Sequence, residues 1–239
     1  MAKVLLQIFL QIFFSIFFKL NIKYTVPLRM KKTVDLYQDR NFTGLFAQIR
    51  AWDAPFENIE KLVPKKGVII DLGCGDGLLA NFLALTGQKR NILGIELNQS
   101  RVSIAYKGLK NTSFVCGDVL QTNFPKANSI LLIHLLHHLS SPEDQKILIT
   151  RCRNQLRANG NLIIAEIGKK PILKYCLSWI TDAIIFPILF EDRLFRRNFF
   201  YRNENEWRII LENSGFRVKK ENAHNNKPFP HIIYECQKV

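Results

Sequence analysis

The chain has 239 residues, 47% hydrophobic and 23% charged, which is long enough for one large α/β domain and too apolar for a disordered chain. Its net charge of +14 divides as +6 over residues 1–66, +3 over 67–166 and +5 over 167–239, so an anionic partner, either a membrane surface or nucleic acid, meets the ends. The five cysteines (74, 116, 152, 176, 236) are odd in number and hold no C-x-x-C pair, which excludes a disulfide framework and reads as free thiols in a reducing compartment.

The first element is "VLLQIFLQIFFSIFF", Val4 to Phe18, uncharged and bracketed by Lys3 and Lys19. A bilayer takes roughly 17–25 apolar residues to span, so this segment just reaches if Lys19 stretches its amine to the interface. Lys3, Gln7, Gln11, Ser15 and Lys19 recur every four residues and make one polar stripe opposite an apolar face. That pattern suits a helix lying in the interface, or one spanning with its stripe against a partner; packing on the domain itself is the alternative. No small-x-small cleavage site follows, which weighs against a secretory signal. The basic residues from Lys19 to Lys32 hold the downstream chain on the cytoplasmic side.

Helical pattern then covers 34–50 and 55–62. An alternation follows: strand 68–71, helix 78–85, strand 91–95, helix 99–109, strand 113–116, strand 129–133, helix 142–156 and strand 161–166. Alternation of this kind predicts right-handed crossovers and a parallel sheet covered on both faces. The runs "NSGFRV" (213–218) and "HIIYECQK" (231–238) predict an antiparallel pair at one edge.

"VIIDLGCGDGLLA", 68–80, is an apolar strand ending on Asp71, then a loop with Gly73, Gly75 and Gly77, then a helix. In an open α/β sheet a ligand lies beyond the carboxyl ends of the strands. Gly73 permits the tight turn, Gly75 close approach of the ligand, and Gly77 packing of helix on strand. A nicotinamide cofactor would want a third glycine three residues after the second, where Leu78 stands. Glu96 closes the second strand, where a carboxylate accepts both ribose hydroxyls. Asp118 follows the third, where a carboxylate can receive an adenine amine; each alone could be a solvated turn residue, but three successive strands ending on Asp71, Glu96 and Asp118 point to a ligand.

With "DLGCGDG", "GIELN", "CGDV", "SILLIHLLHHLS" and "LRANGNLIIAE", the chain resembles the class I S-adenosylmethionine-dependent methyltransferases over about residues 55–239. Ala158 and Asn159 depart from the L-x-P-G-G pattern of the last motif. The resemblance implies a Rossmann-like, seven-stranded, mostly parallel sheet with an antiparallel edge hairpin and helices on both faces. It implies S-adenosyl-L-methionine as cofactor, with Asp71 and Gly73 at the methionine end, Glu96 on the ribose and Asp118 on the adenine amine. Leu97 and Val119 would sandwich the adenine, and Ile133 or His134 would line the methyl donor. The expected organisation is an anchoring helix over 1–23, a helical cover over 24–66, and a methyltransferase domain over 67–239 with a lid insertion about 169–202.

A base is needed only when the methylated atom must lose a proton, and "HLLHH" offers His137 or His138 for an O-methyl transfer, with a structural role for one of them as the alternative. His134 and His138 are four apart, but on a strand end plus turn that spacing implies no metal, and no cysteine or acid lies close in sequence. Glu166, at the end of the fifth strand, is a further acid that either faces the pocket or has a plain structural role. The insertion 169–202 is apolar, then basic and aromatic; Lys174, Asp182 and Pro187 interrupt its apolar half and argue against a second spanning helix. It reads as a lid over a greasy pocket or a membrane-dipping hairpin. The expected function is methylation of a small lipophilic molecule at the cytoplasmic side of a membrane bound through residues 1–20. An RNA methyltransferase holding phosphate with its basic ends is the alternative, which the lack of a visible RNA-binding module disfavours.

Overall fold

The computed structural model describes residues 24–38, 41–185, 187–188, 195, 198–223 and 227–239; the expected helix over 4–18 lies outside them. Among the described residues no helix is long and apolar enough to cross a membrane. A 3-10 turn (Leu28–Met30) leads to α1 (Lys31–Asp35), α2 (Asn41–Asp53) and α3 (Phe56–Leu62). Then come β1 (Lys66–Leu72), α4 (Leu78–Thr86), β2 (Lys89–Glu96), α5 (Gln99–Ala105) and β3 (Thr112–Cys116). They are followed by β4 (Ala127–Ile133), α6 (Pro142–Gln155), β5 (Leu156–Ile167), α7 (Ile172–Ile180), α8 (Glu204–Asn213), β6 (Phe216–Asn222) and β7 (His231–Lys238).

The seven strands order as β3-β2-β1-β4-β5-β7-β6. Strands β1 to β5 pair in parallel, and β7 runs antiparallel to both β5 and β6, as the edge pair predicted. Both faces are covered. One core holds Met30, Val34, Ala51 and Ile59 of the N-terminal helices with Ile69, Phe82 and Leu131, so residues 24–66 share their packing with the sheet. The other packs Leu148, Cys152, Trp207 and Leu211 on Ile70, Leu132 and Tyr234.

Two helices differ from expectation. The pattern over 34–50 is broken, because α1 ends at Asp35 and α2 restarts at Asn41. Between them Tyr37 is drawn into the core, where its hydroxyl donates to the Asp76 carbonyl (2.7 Å) and accepts from Asn81 Nδ2 (2.8 Å). The helix expected over 99–109 stops at Ala105, whose carbonyl accepts from Asn81 Nδ2 (2.9 Å). Strand β5 also starts earlier than expected, at Leu156, with Asn159 in the left-handed region (φ 63°).

Candidate functional site

Beyond the carboxyl ends of β1, β2, β3 and β4 lies a cavity of about 480 Å³. Asp71, Gly73, Gly75, Glu96, Leu97, Asp118, Val119, Ile133, His134, His137 and His138 all reach its wall, brought from four separate stretches of chain. Gly77 does not. It stands at the N-terminus of α4 with φ 72°, and a Cβ there would come within 2.6 Å of Ala105 Cβ, so its place is helix packing and not ligand contact.

The cofactor half is shaped in advance. Glu96 Oε2 accepts the Gly75 N–H (3.0 Å) and Oε1 accepts the Asn98 N–H (3.0 Å), which fixes the carboxylate plane and leaves lone pairs toward the cavity. Asp118 Oδ1 is held by the Leu120 N–H at 2.8 Å. Leu97 is 72% exposed above the same wall while Val119 is buried, two apolar surfaces suited to a flat ring. Gly73 has φ 70°, and Arg101 lies across Gly75, its Nη2 2.4 Å from where a Cβ would be, while its Nε donates to Asp76 Oδ1 (2.7 Å).

Asp71 tests the fit to a cofactor most directly. Its Oδ2 is buried with no hydrogen-bond partner, and burial followed by the Glu96 charge raises its pKa to about 7. A buried acceptor without a donor calls for one, and the ammonium of a methionine moiety supplies it. These residues fit the group the resemblance implies.

The other half holds the titratable cluster. His137, on the 3-10 turn Leu136–His138, is buried; its Nδ1 meets Glu166 Oε2 at 2.5 Å, and Glu166 Oε1 accepts the Leu136 N–H (2.9 Å). Glu166 therefore stands behind His137 and not on the cavity wall: both oxygens are committed to that turn. His137 Nε2 makes no hydrogen bond and lies 3.5 Å from Asp182 Oδ2, which also accepts the Tyr201 hydroxyl. Burial opposes charge on His137, but Glu166 and Asp182 outweigh it and raise the pKa to about 9. Asp182 is correspondingly lowered, against its burial, by His137 and His138. The fold thus brings an acid where sequence spacing offered none: ligand atoms of His137, His138 and Asp182 lie within 4.8 Å of one another. Glu166 engages Nδ1 of His137 and Asp182 faces Nε2, so this group reads as an acid–histidine network around a base.

A second buried set was not foreseen. Arg50 Nη2 meets His134 Nδ1 (3.0 Å), His134 Nε2 meets His231 Nδ1 (3.0 Å), His231 Nε2 meets Asp53 Oδ1 (2.9 Å), and Asp53 Oδ2 faces Arg50 Nη1 at 3.9 Å. The ring closes on the cavity wall and holds His134 at φ 53°, a conformation few non-glycine residues adopt. Arg50, Asp53 and His231 carried no motif. Asp182 left one trace, as a charge inside an apolar run.

Residues 69–160 match the family model described as "Methyltransferase domain". Isoflavone-7-O-methyltransferase 9 of Medicago sativa is 25% identical over 175 residues, 72% of this chain and 45% of that protein, so the chain spans under half the length of this relative. Human N-acetylserotonin methyltransferase in complex with SAM superposes with TM-score 0.63 at 15% identity, over 87% of this chain and 56% of that one. Magnesium protoporphyrin IX methyltransferase from Synechocystis PCC 6803 with bound SAH superposes with TM-score 0.62 at 17% identity, over 92% and 99%. At such identities the two structures establish the fold.

Proposed function

From the premise that this chain carries a class I S-adenosylmethionine-dependent methyltransferase domain, we propose that it methylates a hydroxyl of a small, lipophilic molecule. The observation that carries the reading is His137: buried, oriented through Nδ1 by Glu166, with Nε2 unbonded at the cavity. Bound S-adenosylmethionine would supply an activated methyl group, so in-line placement provides most of the rate. Asp71, Gly73, Glu96 and Asp118 would hold it. The protein's remaining task is the acceptor proton. A hydroxyl lying against His137 Nε2 gives its proton to the neutral imidazole as the oxygen becomes nucleophilic. Glu166 and Asp182 then stabilise the imidazolium, the same effect that raises the pKa of this histidine. A cationic sulfonium nearby works against them and favours the neutral form that a base requires. Phe46, Ile49, Phe56, Leu139, Ile185 and Phe229 supply apolar wall for the acceptor.

The same reading places the enzyme on the cytoplasmic side of a membrane. Residues 4–18, uncharged and containing five phenylalanines, support this, as do the basic residues that follow. The RNA alternative is not supported: the matched relative acts on an isoflavone by name, and the acceptor wall is apolar.

Transfer of labelled methyl from S-adenosylmethionine into an organic extract of the cells that make the protein tests the function. His137→Gln should lower turnover about 10²–10⁴-fold while binding S-adenosylhomocysteine within about twofold of wild type. Unchanged turnover in that variant would remove His137 as base, and label recovered only in RNA would overturn the acceptor class.

A further inference from the structure

We infer that the outward face of α7 is a docking surface for an anionic lipid bilayer. The polarity of this helix is inverted. Its inward side, with the π-turn that continues it (Thr181–Ile185), presents Ser178, Thr181 and Asp182 to the cavity. Its outward side presents Ile172, Leu173, Cys176, Trp179 and Ile180, with Ile172 and Leu173 67% and 61% exposed. These positions fall at helical spacing on one face, where a surface helix ordinarily puts polar residues. Phe195, also exposed, extends the patch through an edge contact with Trp179 (centroids 6.3 Å). A continuous apolar surface of this kind marks an interaction site.

The occupant follows from what adjoins the patch. Lys169 and Lys170 precede α7, where cations meet anionic headgroups when a helix lies in the interface. Tryptophan is a side chain favoured at that depth. The first described residue, Tyr24, lies on the same side: its ring packs edge-on against Trp52 (5.1 Å) and its hydroxyl donates to Gln48. The Trp52 carbonyl accepts from Lys227 Nζ, and the Lys227 carbonyl accepts from Lys174 Nζ of α7 (2.6 Å). Tyr24, which follows in sequence the uncharged run and Lys3, Lys19 and Lys23, is thus linked to α7 through Trp52 and Lys227. A bilayer accommodates the α7 face together with the apolar, lysine-edged sequence that leads into Tyr24. The inference rests on the proposed function only for its purpose, delivery of a lipophilic acceptor to a cavity that α7 lines.

The full chain with phospholipid vesicles gives the test. Of three tryptophans, Trp52 and Trp207 are buried and Trp179 is exposed, so intrinsic emission reports this face. Vesicles of phosphatidylcholine and phosphatidylserine with brominated acyl chains should quench and blue-shift the emission, and Trp179→Phe should abolish the response. The Leu173→Glu/Ile180→Glu double variant should bind vesicles about tenfold or more weakly while binding S-adenosylhomocysteine as wild type does, since neither residue lines the cavity. Co-flotation without Trp179 quenching would mean that residues 1–23 bind alone, and would overturn the inference. So would failure to bind vesicles. Trp179 already shielded from aqueous iodide before vesicles are added would also overturn it, by assigning the face to residues 4–18 or to a second copy. Quenching in a protein that transfers no methyl group would leave this surface standing and refute the proposed function instead.

Discussion

Asp71 is a buried carboxylate with one oxygen that no donor reaches, and this gives cofactor affinity a pH dependence of known sign. An incoming ammonium needs the ionised form. With the free-site pKa raised to about 7, S-adenosylhomocysteine should bind fully at pH 8 and about tenfold more weakly at pH 6, where the carboxyl must first lose its proton. Asp71→Asn should bind weakly at both pH values and with a flat profile; calorimetry on the pair decides it, and a preserved slope in the variant would assign the dependence to another group. Asp71, Glu96 and Asp118 were legible in the sequence because each ends or follows a strand, where a side chain has only one cavity to meet. Asp53, Asp182 and His231 were not. His231 meets His134 and Asp53 across 97 and 178 residues of chain, farther than any spacing rule reaches, and Asp182 takes its role from contacts with His137 and Tyr201 that exist only in the fold.

Among the elements, the turn into α4 shows how two glycines of one motif do different work. Both Gly73 and Gly77 are left-handed, and alanine at either costs roughly 1–2 kcal/mol in backbone strain. At Gly77 the new Cβ also meets Ala105 Cα at 3.0 Å and the Phe114 ring at 3.0 Å, so Gly77→Ala must push α4 from α5 and β3, adding about 1–3 kcal/mol. At Gly73 it meets only the end of the flexible Leu135 side chain, on the cavity wall. Thermal unfolding should therefore place Gly77→Ala below Gly73→Ala by several degrees, at roughly 2–4 °C per kcal/mol. S-adenosylhomocysteine affinity should order them the other way, and equal loss of affinity in both would contradict the division. The strands and their order were readable because apolar runs alternated with amphipathic ones. The break between α1 and α2 was not, since "DLYQDRN" contains no glycine or proline and the interruption comes from Tyr37 finding Asp76 and Asn81 in the core.

At the scale of the molecule, Glu60 fastens the N-terminal helices to the sheet. It is buried and accepts from Arg29 (2.9 Å), Arg90 of β2 (3.1 Å) and Lys65, while Arg90, itself fully buried, also donates to the Leu83 and Val63 carbonyls. Burial disfavours the charge, but the three cations prevail and hold the Glu60 pKa at about 2. A depressed carboxylate contributes stability above its unfolded value, near 4.5, and loses it as pH falls through 2. Glu60→Gln strands a buried guanidinium, a loss of about 3–5 kcal/mol, which lowers the melting temperature by roughly 6–20 °C and flattens the acid limb of stability. Melting curves from pH 2 to 7 on both proteins measure this; a variant within 2 °C of wild type, by the same scaling, would show that the helices are held by apolar packing alone. The ring of Arg50, His134, His231 and Asp53 has a different consequence, for how such an enzyme changes over time. Its members come from the cover and from both halves of the sheet, so neither part is exchangeable by itself. A helix grafted from elsewhere would strand two imidazoles against the cavity unless it carried an arginine and an acid three residues apart. New acceptor preferences must then arise by point changes on the cavity side of α2, at Leu45, Phe46 and Ile49, and not by importing a foreign cover.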